Sequence, residues 1–380
     1  MPADILDDLG PWPDEEAWQG EEREPEAPWR RSRPPAAEPD PAALLQPLSA
    51  ADDVLSRLDA LAGAASPALR EGLVARLAFA EASGWLVQEG VQVHPRDLAL
   101  RANRLTGSYT AAAMLGRLER ELPETWRDTP GPAGAVGAEH MIEQALALAR
   151  LLQRLATLRT VDPLDDRQGF ARALGSLGSS LWPAELQAAG AAPPDFGAWR
   201  RNWLGAERQE PALLAAARGA ARWMQQAGAG DVASPGLQQA LFLAAVLLRR
   251  RGRLHHVPLP FWSAGRVGRR PLRRPSGDPA GWPLAFLERV QAATLRALDE
   301  LDRLEGLAEK AAQLAAGRRT SSSLAAAHDL ALRLPVLTAG VLADKLDLTP
   351  QGALLVLNQL AKEGLVREAT GRARFRAYVA

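Results

Sequence analysis

The most constraining feature of this sequence is a long succession of apolar residues at helical spacing, interrupted by stretches rich in proline and glycine. From Ala43 to about Ala316, leucines recur every three or four residues, as in Leu55, Leu58 and Leu61. This is the period of an amphipathic helix. Alternating runs of β-branched residues, which would predict strands, do not occur in this part of the sequence. The sequence therefore predicts a mainly α fold with a helical bundle over residues 43–316.

Capping residues and breaks indicate where the helices begin and end. Ser49 and Ser66 stand where N-caps of the first two helices are expected. Residues 123–137, 176–195 and 253–282 are rich in proline and glycine, which favours loops. The further predicted helices are Arg96–Leu105, Tyr109–Leu122, Ala138–Leu158, Pro211–Gln226, Pro235–Arg251 and Leu284–Ala316.

Residues 1–42 differ from the rest of the chain in composition. They combine proline, glutamate and aspartate with isolated tryptophans at positions 12, 18 and 29, and they show no apolar period. Such a segment cannot bury enough apolar surface to offset the entropy lost on ordering. We predict a disordered acidic tail, whose tryptophans either stay in solvent or dock on a partner or on the protein's own basic face.

Charge is balanced overall but unevenly distributed. The chain has 45 basic and 45 acidic side chains, yet residues 246–277 contain nine arginines and no acid. Arg249, Arg250 and Arg251 end a predicted helix, where cations complement the helix dipole. Two interpretations remain open for the other arginines. Either they form a second surface that contacts phosphates, or they lie in a solvated loop or form a docking site for the acidic tail.

Several classes of function are disfavoured by what the sequence lacks. It has no cysteine, which excludes disulfides and thiolate sites and fits a reducing compartment, so a cytoplasmic location is expected. No apolar run is long enough to cross a membrane, and no membrane partner is expected. No phosphate-binding loop or nucleophile elbow is found, so we expect neither a cofactor nor enzymatic activity. The histidines lack the spacing of metal sites, so no metal is expected: His94, His140, His255, His256 and His328.

The last part of the chain, residues 317–380, carries helix signals in the order of a winged helix-turn-helix. A first helix ends at Pro335, and Thr338 then caps a short second helix, Ala339–Leu346. After a tight turn, Thr349 caps a third helix with a proline at its first position, where the missing N–H is not needed. These signals are independent of one another, and together they predict three helices joined by short turns.

A β-hairpin is predicted after the third helix. Gly364 stands where a helix end requires left-handed backbone geometry. The short runs 365–368 and 375–379 resemble strands, and the turn between them contains Gly371. The hairpin corresponds to the wing of the winged-helix fold.

This geometry predicts a DNA-binding surface. In winged helix-turn-helix domains the third helix lies in the major groove and the wing reaches the backbone. Glutamine and asparagine can pair with adenine, whereas lysine and arginine suit phosphates. Ala353, Val356, Leu357 and Leu360 are expected to face the core. The candidate DNA-binding residues are Thr349, Gln351, Asn358, Gln359 and Lys362 in the helix and Arg372, Arg374 and Arg376 in the hairpin.

Leu354 and Leu355 share the outward face of the third helix and complicate this hypothesis. Leucines in a groove-reading position contact only thymine methyl groups or another protein surface. A winged helix used for packing or dimerisation therefore remains an open alternative. A homodimer is expected if the DNA site is palindromic, and no small-molecule ligand is specified by the sequence.

Four stretches resemble an uncharacterised bacterial family, often plasmid-borne, in which a helical domain of unknown function precedes a helix-turn-helix DNA-binding domain. They are Arg70–Ala82, Trp85–Leu98, Gly317–Ser323 and Thr370–Tyr378. The resemblance implies a DNA-binding protein, with transcriptional regulation as the expected role.

A more distant similarity is to Fic-domain proteins that carry an appended winged helix. Residues 89–90, 241–262 and 284–304 resemble the end of the inhibitory motif and the helices that follow the active site. The Fic signature His-x-Phe-x-x-Gly-Asn-Gly-Arg should precede Leu241, yet Gly228–Gln239 has neither its histidine nor its phosphate loop, and Trp85 replaces the expected serine or threonine. Nucleotidyl transfer would lack its base and its anion hole. The similarity implies a catalytically inactive Fic-like scaffold, and the alternative function is a protein-interaction module.

Overall fold

Helices dominate the computed structural model, which describes residues 41–88, 91–103, 138–157, 210–226, 235–265, 281–316, 322–370 and 376–380. Within these ranges the chain forms ten α-helices and three short strands. The prediction of a mainly α fold is confirmed. The helices are α1 (Pro41–Ala64), α2 (Pro67–Gln88), α3 (Pro95–Ala102), α4 (Ala138–Thr157), α5 (Ala212–Gln226), α6 (Pro235–Arg250), α7 (Trp282–Ala316), α8 (Ser322–Arg333), α9 (Ala339–Leu346) and α10 (Pro350–Lys362), and the strands are β1 (Leu337–Thr338), β2 (Arg367–Glu368) and β3 (Ala377–Val379).

One of the two predicted N-caps is confirmed and the other is wrong. The Ser66 hydroxyl accepts a hydrogen bond from the backbone N–H of Leu69 at 3.4 Å, as an N-cap does. Ser49, by contrast, lies inside α1, which begins at Pro41 and continues through Pro47. Leu44 is buried in the core, and this tertiary contact stabilises two helical turns that the local sequence does not reveal. Residues 41 and 42 of the predicted tail form the start of α1, whereas residues 1–40 and the predicted helix Tyr109–Leu122 lie outside the described residues.

The helical body is built around α2 and α7. Helix α2 contacts α3, α4, α7 and α8, and α7 packs along α1 and α5. Helix α6 packs on α5, and its residues 236–248 are buried, as expected for a central helix. An aromatic cluster lies at the centre, with the Phe261 ring centroid 5.2 Å from Trp262, 5.5 Å from Phe286 and 6.1 Å from Trp282. A single continuous core therefore joins these helices.

A buried carboxylate fixes the loop that precedes α7. Glu81 on α2 accepts backbone hydrogen bonds from Phe261 at 2.9 Å, Trp262 at 2.5 Å and Ser263 at 3.1 Å, and also one from the Ser263 hydroxyl. Burial raises the pKa of Glu81, and these donors act in the opposite direction. The Arg289 guanidinium lies 5.2 Å from the Phe261 ring centroid and adds a buried positive charge nearby. The short 3-10 turn Trp262–Ala264 is thereby anchored on α2.

Arginines of the basic segment 246–277 make structural contacts where the segment is described. The Arg249 guanidinium donates to the carbonyls of Leu155 and His255, both at 2.9 Å. Arg251 donates to the Glu210 carbonyl at 2.5 Å, and Arg253 lies 3.5 Å from the Asp52 carboxylate. Arg249 lies in the last turn of α6, as predicted, and the three arginines also join segments of the body, a use that the sequence did not predict. Arg250 also lies in the last turn of α6, and the other five arginines of the segment lie outside the described residues: Arg266, Arg269, Arg270, Arg273 and Arg274.

The C-terminal part has the predicted winged helix-turn-helix order, with one additional strand. Its sheet is antiparallel in the order β1-β3-β2, with Leu337 opposite Tyr378 and Arg367 opposite Val379. Strand β1 was not predicted, because two residues are too few to produce an alternating pattern. The core of this domain is formed by Leu342, Ala353, Leu357, Leu360, Leu365 and Tyr378.

Helix α8 docks directly on α2 of the body. The Arg76 guanidinium donates to the carbonyls of Leu332 at 2.5 Å, Ala331 at 3.1 Å and Leu334 at 3.2 Å, and it lies 3.5 Å from the Glu300 carboxylate. These carbonyls belong to the end of α8, where intrahelical partners run out. Burial lowers the pKa of Arg76 to about 10, so the side chain stays charged at neutral pH. The arginine therefore serves as a C-terminal cap supplied by another helix.

Gly72 permits this close approach, and the site provides a test of the docking. A Cβ atom at Gly72 would lie 2.0 Å from the Leu332 carbonyl oxygen, whereas one at Gly306 on α7 would meet no atom within 4 Å. We expect Gly72→Ala to lower the free energy of unfolding by about 1–3 kcal/mol through overpacking. Gly306→Ala should raise it by about 0.5–1 kcal/mol, because alanine favours helices. Urea denaturation of both variants checks this, and equal effects would contradict the docking contact.

A buried histidine at the junction of α7 and α8 predicts sensitivity to acid. His328 is 8% exposed, and burial lowers its pKa from the ordinary value, opposed by Asp329 and by a hydrogen bond to the Leu307 backbone. Because the folded state then binds this proton less readily than the unfolded state, stability should be lost as pH falls below about 6.5. We expect His328→Gln to reduce the loss of melting temperature between pH 8 and pH 5.5. If the melting temperatures of His328→Gln and of the parent protein fell equally between pH 8 and pH 5.5, this role of His328 would be refuted.

Candidate nucleic-acid interface

The two helices of the helix-turn-helix are set by side-chain caps and by residues in left-handed geometry. The Thr338 hydroxyl accepts from the Val341 N–H at 3.2 Å, and the Thr349 hydroxyl accepts from the Gly352 N–H at 3.1 Å. Asp347 has φ 53° in the tight turn between α9 and α10. Gly364 has φ 68° immediately after α10, as its position predicted. The start and end of the third helix are therefore fixed by its own sequence.

The faces of α10 agree with the sequence prediction at all but one position. Ala353, Leu357 and Leu360 have no exposed surface and hold the helix on the domain core. Val356 was expected to face the core but is only half-buried, because it lies at the margin of this contact. The remaining outward side chains form one exposed row: Gln351, Leu354, Leu355, Asn358, Gln359 and Lys362.

Two amides of this row already make hydrogen bonds within the protein. The Tyr378 hydroxyl donates to Asn358 Oδ1 at 3.1 Å, which joins α10 to β3. Gln359 Nε2 donates to Glu363 Oε1 at 3.2 Å one helical turn later. An amide oxygen can accept a second hydrogen bond and an amide nitrogen carries a second N–H, so these bonds orient the two amides without excluding contact with adenine. The link between Tyr378 and Asn358 was not anticipated, since the two residues are distant in sequence.

Leu354 and Leu355 are solvent-exposed, as the helical period predicted. Leu354 is 37% exposed and Leu355 is 66% exposed. Exposed leucines side by side on a helix are unfavourable in water, and such patches commonly mark contact with another molecule. They give the outward face of α10 an apolar centre flanked by polar amides.

The base of the wing is closed by hydrogen bonds. The backbone N–H of Thr370 donates to Glu368 Oε1 at 2.8 Å, and the Thr370 hydroxyl donates to the same oxygen. The Ala369 N–H donates to the Ala377 carbonyl at 2.8 Å. These contacts join the two described ends of the hairpin at residues 368–370 and 377. Arg376 is exposed before β3, whereas Arg372 and Arg374 lie outside the described residues.

The described part of this domain has no excess of positive charge. Residues 322–370 and 376–380 contain five basic side chains and five acidic side chains, which sum to zero. DNA binding draws much of its affinity from neutralised phosphates. Arg372 and Arg374 therefore supply the only positive excess between Ser322 and Ala380. The basic residues are Arg333, Lys345, Lys362, Arg367 and Arg376, and the acidic residues are Asp329, Asp344, Asp347, Glu363 and Glu368.

Metal-binding clusters and membrane-spanning helices are both absent from the described residues. Among them, no three His, Asp or Glu side chains are grouped so that they could hold a metal ion. None of the helices described combines the length and the apolar character needed to cross a membrane. Of the residues compared with the Fic motifs, Trp85 is buried in the body core, whereas residues 89–90 and 228–234 lie outside the described ranges.

Comparison with known proteins agrees with the geometry of the C-terminal part. Residues 324–379 match the family described as "HTH DNA binding domain". A curated relative, uncharacterized protein y4cF of Sinorhizobium fredii, is 36% identical over 95 residues, which cover 25% of this chain and 24% of the relative. The match thus spans about a quarter of the relative's length. The helix order and the family match together identify a helix-turn-helix DNA-binding domain at residues 324–379.

Neighbouring leucines on α10 test which face is free for a partner. Leu357 is fully buried, so Leu357→Ala should lower the free energy of unfolding by about 2–5 kcal/mol. Leu355→Ala removes the same atoms from an exposed position and should change it by less than about 0.5 kcal/mol. Urea denaturation of the two variants gives the comparison. A large loss from Leu355→Ala would mean that this face packs within the protein.

Proposed function

We propose that this protein is a DNA-binding transcriptional regulator whose helix α10 enters the major groove and whose wing contacts the phosphate backbone. The observation that carries the proposal is the exposed row of side chains on α10, which belongs to a domain that matches a DNA-binding family. The helix itself is fixed by a cap at each end and by three buried side chains. A helix presented in this manner is the reading element of winged helix-turn-helix proteins.

The proposal gives the exposed side chains two kinds of role. Gln351, Asn358 and Gln359 would meet base edges, and the two leucines between them would meet thymine methyl groups. The other candidates, which would position the domain on phosphates, are Thr349, Lys362, Arg372, Arg374 and Arg376. Each basic side chain that neutralises a phosphate adds about 0.9 to the salt slope, so the two wing arginines should account for about half of the salt dependence expected from the four basic candidates.

The helical body is proposed to serve dimerisation or the sensing of a partner, and not catalysis. A palindromic site requires two copies of α10 about one turn of DNA apart. The chain would then bind as a homodimer. This part of the proposal is supported by the direct docking of α8 on α2, because a change in the body has a short route to the DNA-binding domain.

A second candidate function is a protein-interaction module built on an inactive Fic-like scaffold. The observation that favours it is the exposure of Leu354 and Leu355 on the outward face of α10. An apolar patch in this position suits a protein partner at least as well as a DNA groove.

Salt-dependent binding to random duplex DNA separates these candidates. For the full chain, the logarithm of the association constant should fall linearly with the logarithm of salt concentration. In the double variant Arg372→Ala/Arg374→Ala the slope should be shallower by about 2. The matched control is Arg57→Ala/Arg154→Ala, which removes two exposed arginines from α1 and α4 and should leave the slope unchanged. Electrophoretic mobility shifts at four salt concentrations provide the measurement.

Two outcomes would contradict DNA binding by this surface. One is binding that does not weaken as salt rises, and the other is a slope unaffected by loss of both wing arginines. The interaction module would instead be supported if Leu354→Ala/Leu355→Ala reduced the molar mass measured by light scattering while DNA binding stayed weak and salt-independent.

A further inference from the structure

A large cavity lies between the helical body and the DNA-binding domain. Its volume is about 970 Å³, at the upper end of the range for small-molecule sites. One wall comes from α2, α7 and the 3-10 turn of the body. The opposite wall comes from the segment Gly364–Arg367 and from the end of β3. The proposed roles of α10 and the wing leave this cavity without a function.

The walls of the cavity are largely apolar. Phe79, Ala80 and Val87 line it from α2, Trp262 from the 3-10 turn, and Leu307 from α7. Val87 is 40% exposed, whereas the other large apolar side chains of α2 are buried. An aliphatic or aromatic ligand body would cover this surface and gain the free energy of removing it from water.

The charged groups that line the cavity are predominantly positive. One side-chain carboxylate, Glu300, is found among the described lining residues, and it is already engaged by Arg303 at 2.7 and 2.9 Å and by Arg76 at 3.5 Å. The Arg296 guanidinium donates to the Ser263 carbonyl at 2.6 Å. The arginines that line the cavity are Arg76, Arg96, Arg296, Arg303 and Arg367.

Arg96 and Arg367 bring further positive charge to the cavity, beside the His94 ring. Arg96 Nε is buried without a hydrogen-bond partner, and it forms an ion pair with the Asp97 carboxylate at 3.7 Å. Arg367 is exposed on β2. Burial, Arg96 and Arg367 lower the pKa of His94 and Asp97 opposes them, so His94 is neutral at neutral pH and the positive charge lies on the two arginines near its ring. Such a group attracts an anionic oxygen ligand.

We propose that this cavity binds a small amphipathic anion, with a carboxylate or phosphate headgroup at Arg96 and Arg367 and an apolar body against Phe79, Val87 and Trp262. The apolar walls account for the body of the ligand, and the excess of arginine over carboxylate accounts for its charge. An uncharged or cationic analogue of equal length lacks the headgroup interaction and binds more weakly.

Occupancy of the cavity also affects DNA binding in this proposal, and that step rests on the proposed function. Gly364–Arg367 connects α10 directly to β2 of the wing, so the ligand touches both the body and the chain between the two DNA-contacting elements. A ligand that prefers one arrangement of these walls shifts the population toward it. Linkage then requires that ligand and DNA change each other's affinity by the same factor.

Ligand binding is tested on the full chain without DNA. The probe is 1-anilinonaphthalene-8-sulfonate, an amphipathic anion whose fluorescence rises in an apolar site, and the competitors are octanoate, octyl phosphate, octanol and octylammonium. We expect the two anions to displace the probe at least tenfold more effectively than the alcohol or the cation. The anion that displaces the probe at the lower concentration, octanoate or octyl phosphate, identifies the preferred headgroup as carboxylate or phosphate. Equal displacement by octylammonium and octanoate would overturn the proposal.

Two independent variants locate the binding site. Arg96→Ala/Arg367→Ala should weaken octanoate at least tenfold and leave octanol unchanged, whereas Ala80→Phe should weaken every competitor by filling the cavity. Arg57→Ala/Arg154→Ala is the matched control for lost charge and should bind as the parent protein does. Melting curves confirm that each variant is folded, and the two cavity variants keep the test decisive if one fails to fold. Unchanged octanoate binding in the cavity variants would overturn the proposed site.

A separate measurement addresses the coupling. The apparent dissociation constant for duplex DNA should change at least threefold when octanoate is added to the parent protein, and it should not change for Ala80→Phe. If octanoate binds but the DNA affinity stays constant, the coupling is wrong and the ligand site stands. If the chain binds no DNA, the proposed function fails while the fluorescence experiment still decides the ligand site.

Discussion

The contact between Arg76 and the end of α8 determines how the DNA-binding domain is held. Helix ends leave carbonyl groups without partners, and here the guanidinium of another helix satisfies three of them. The absence of a side chain at Gly72 lets the two backbones approach closely enough for this to occur. Burial lowers the pKa of Arg76 to about 10, yet the charge that complements the dipole of α8 persists at neutral pH.

The remaining contacts between body and domain follow from this docking. Helix α7 begins in the aromatic core at Trp282, and its last turns pack Ala311 and Leu314 against the winged-helix core. Lys310 near its end donates to the Gly364 carbonyl at 3.3 Å, directly after α10. A single 35-residue helix thus contacts both cores. Leu307 of α7 and Gly364 both line the proposed ligand cavity.

Local signals predicted the C-terminal domain well because each acts within a few residues. Thr338, Thr349 and Gly364 have the cap and left-handed conformations that their positions indicated. The same approach failed at Ser49, where burial of Leu44 extends α1 beyond the expected cap. It also missed β1, since a two-residue strand is defined by its partner and not by its own residues. Long-range contacts override local preference in both cases.

The sequence by itself determined the helical class, the order of the winged helix and the outward row on α10, since period and capping are properties of short segments. Only the tertiary structure decided which polar side chains are free to act. The Asn358 oxygen accepts a hydrogen bond from Tyr378, and the Arg251 guanidinium donates to a backbone carbonyl. Composition alone could not show that these two side chains already have partners within the protein. The cavity lined by Arg96 and Arg367 belongs to the same category, because residues 271 positions apart meet only when the two cores dock.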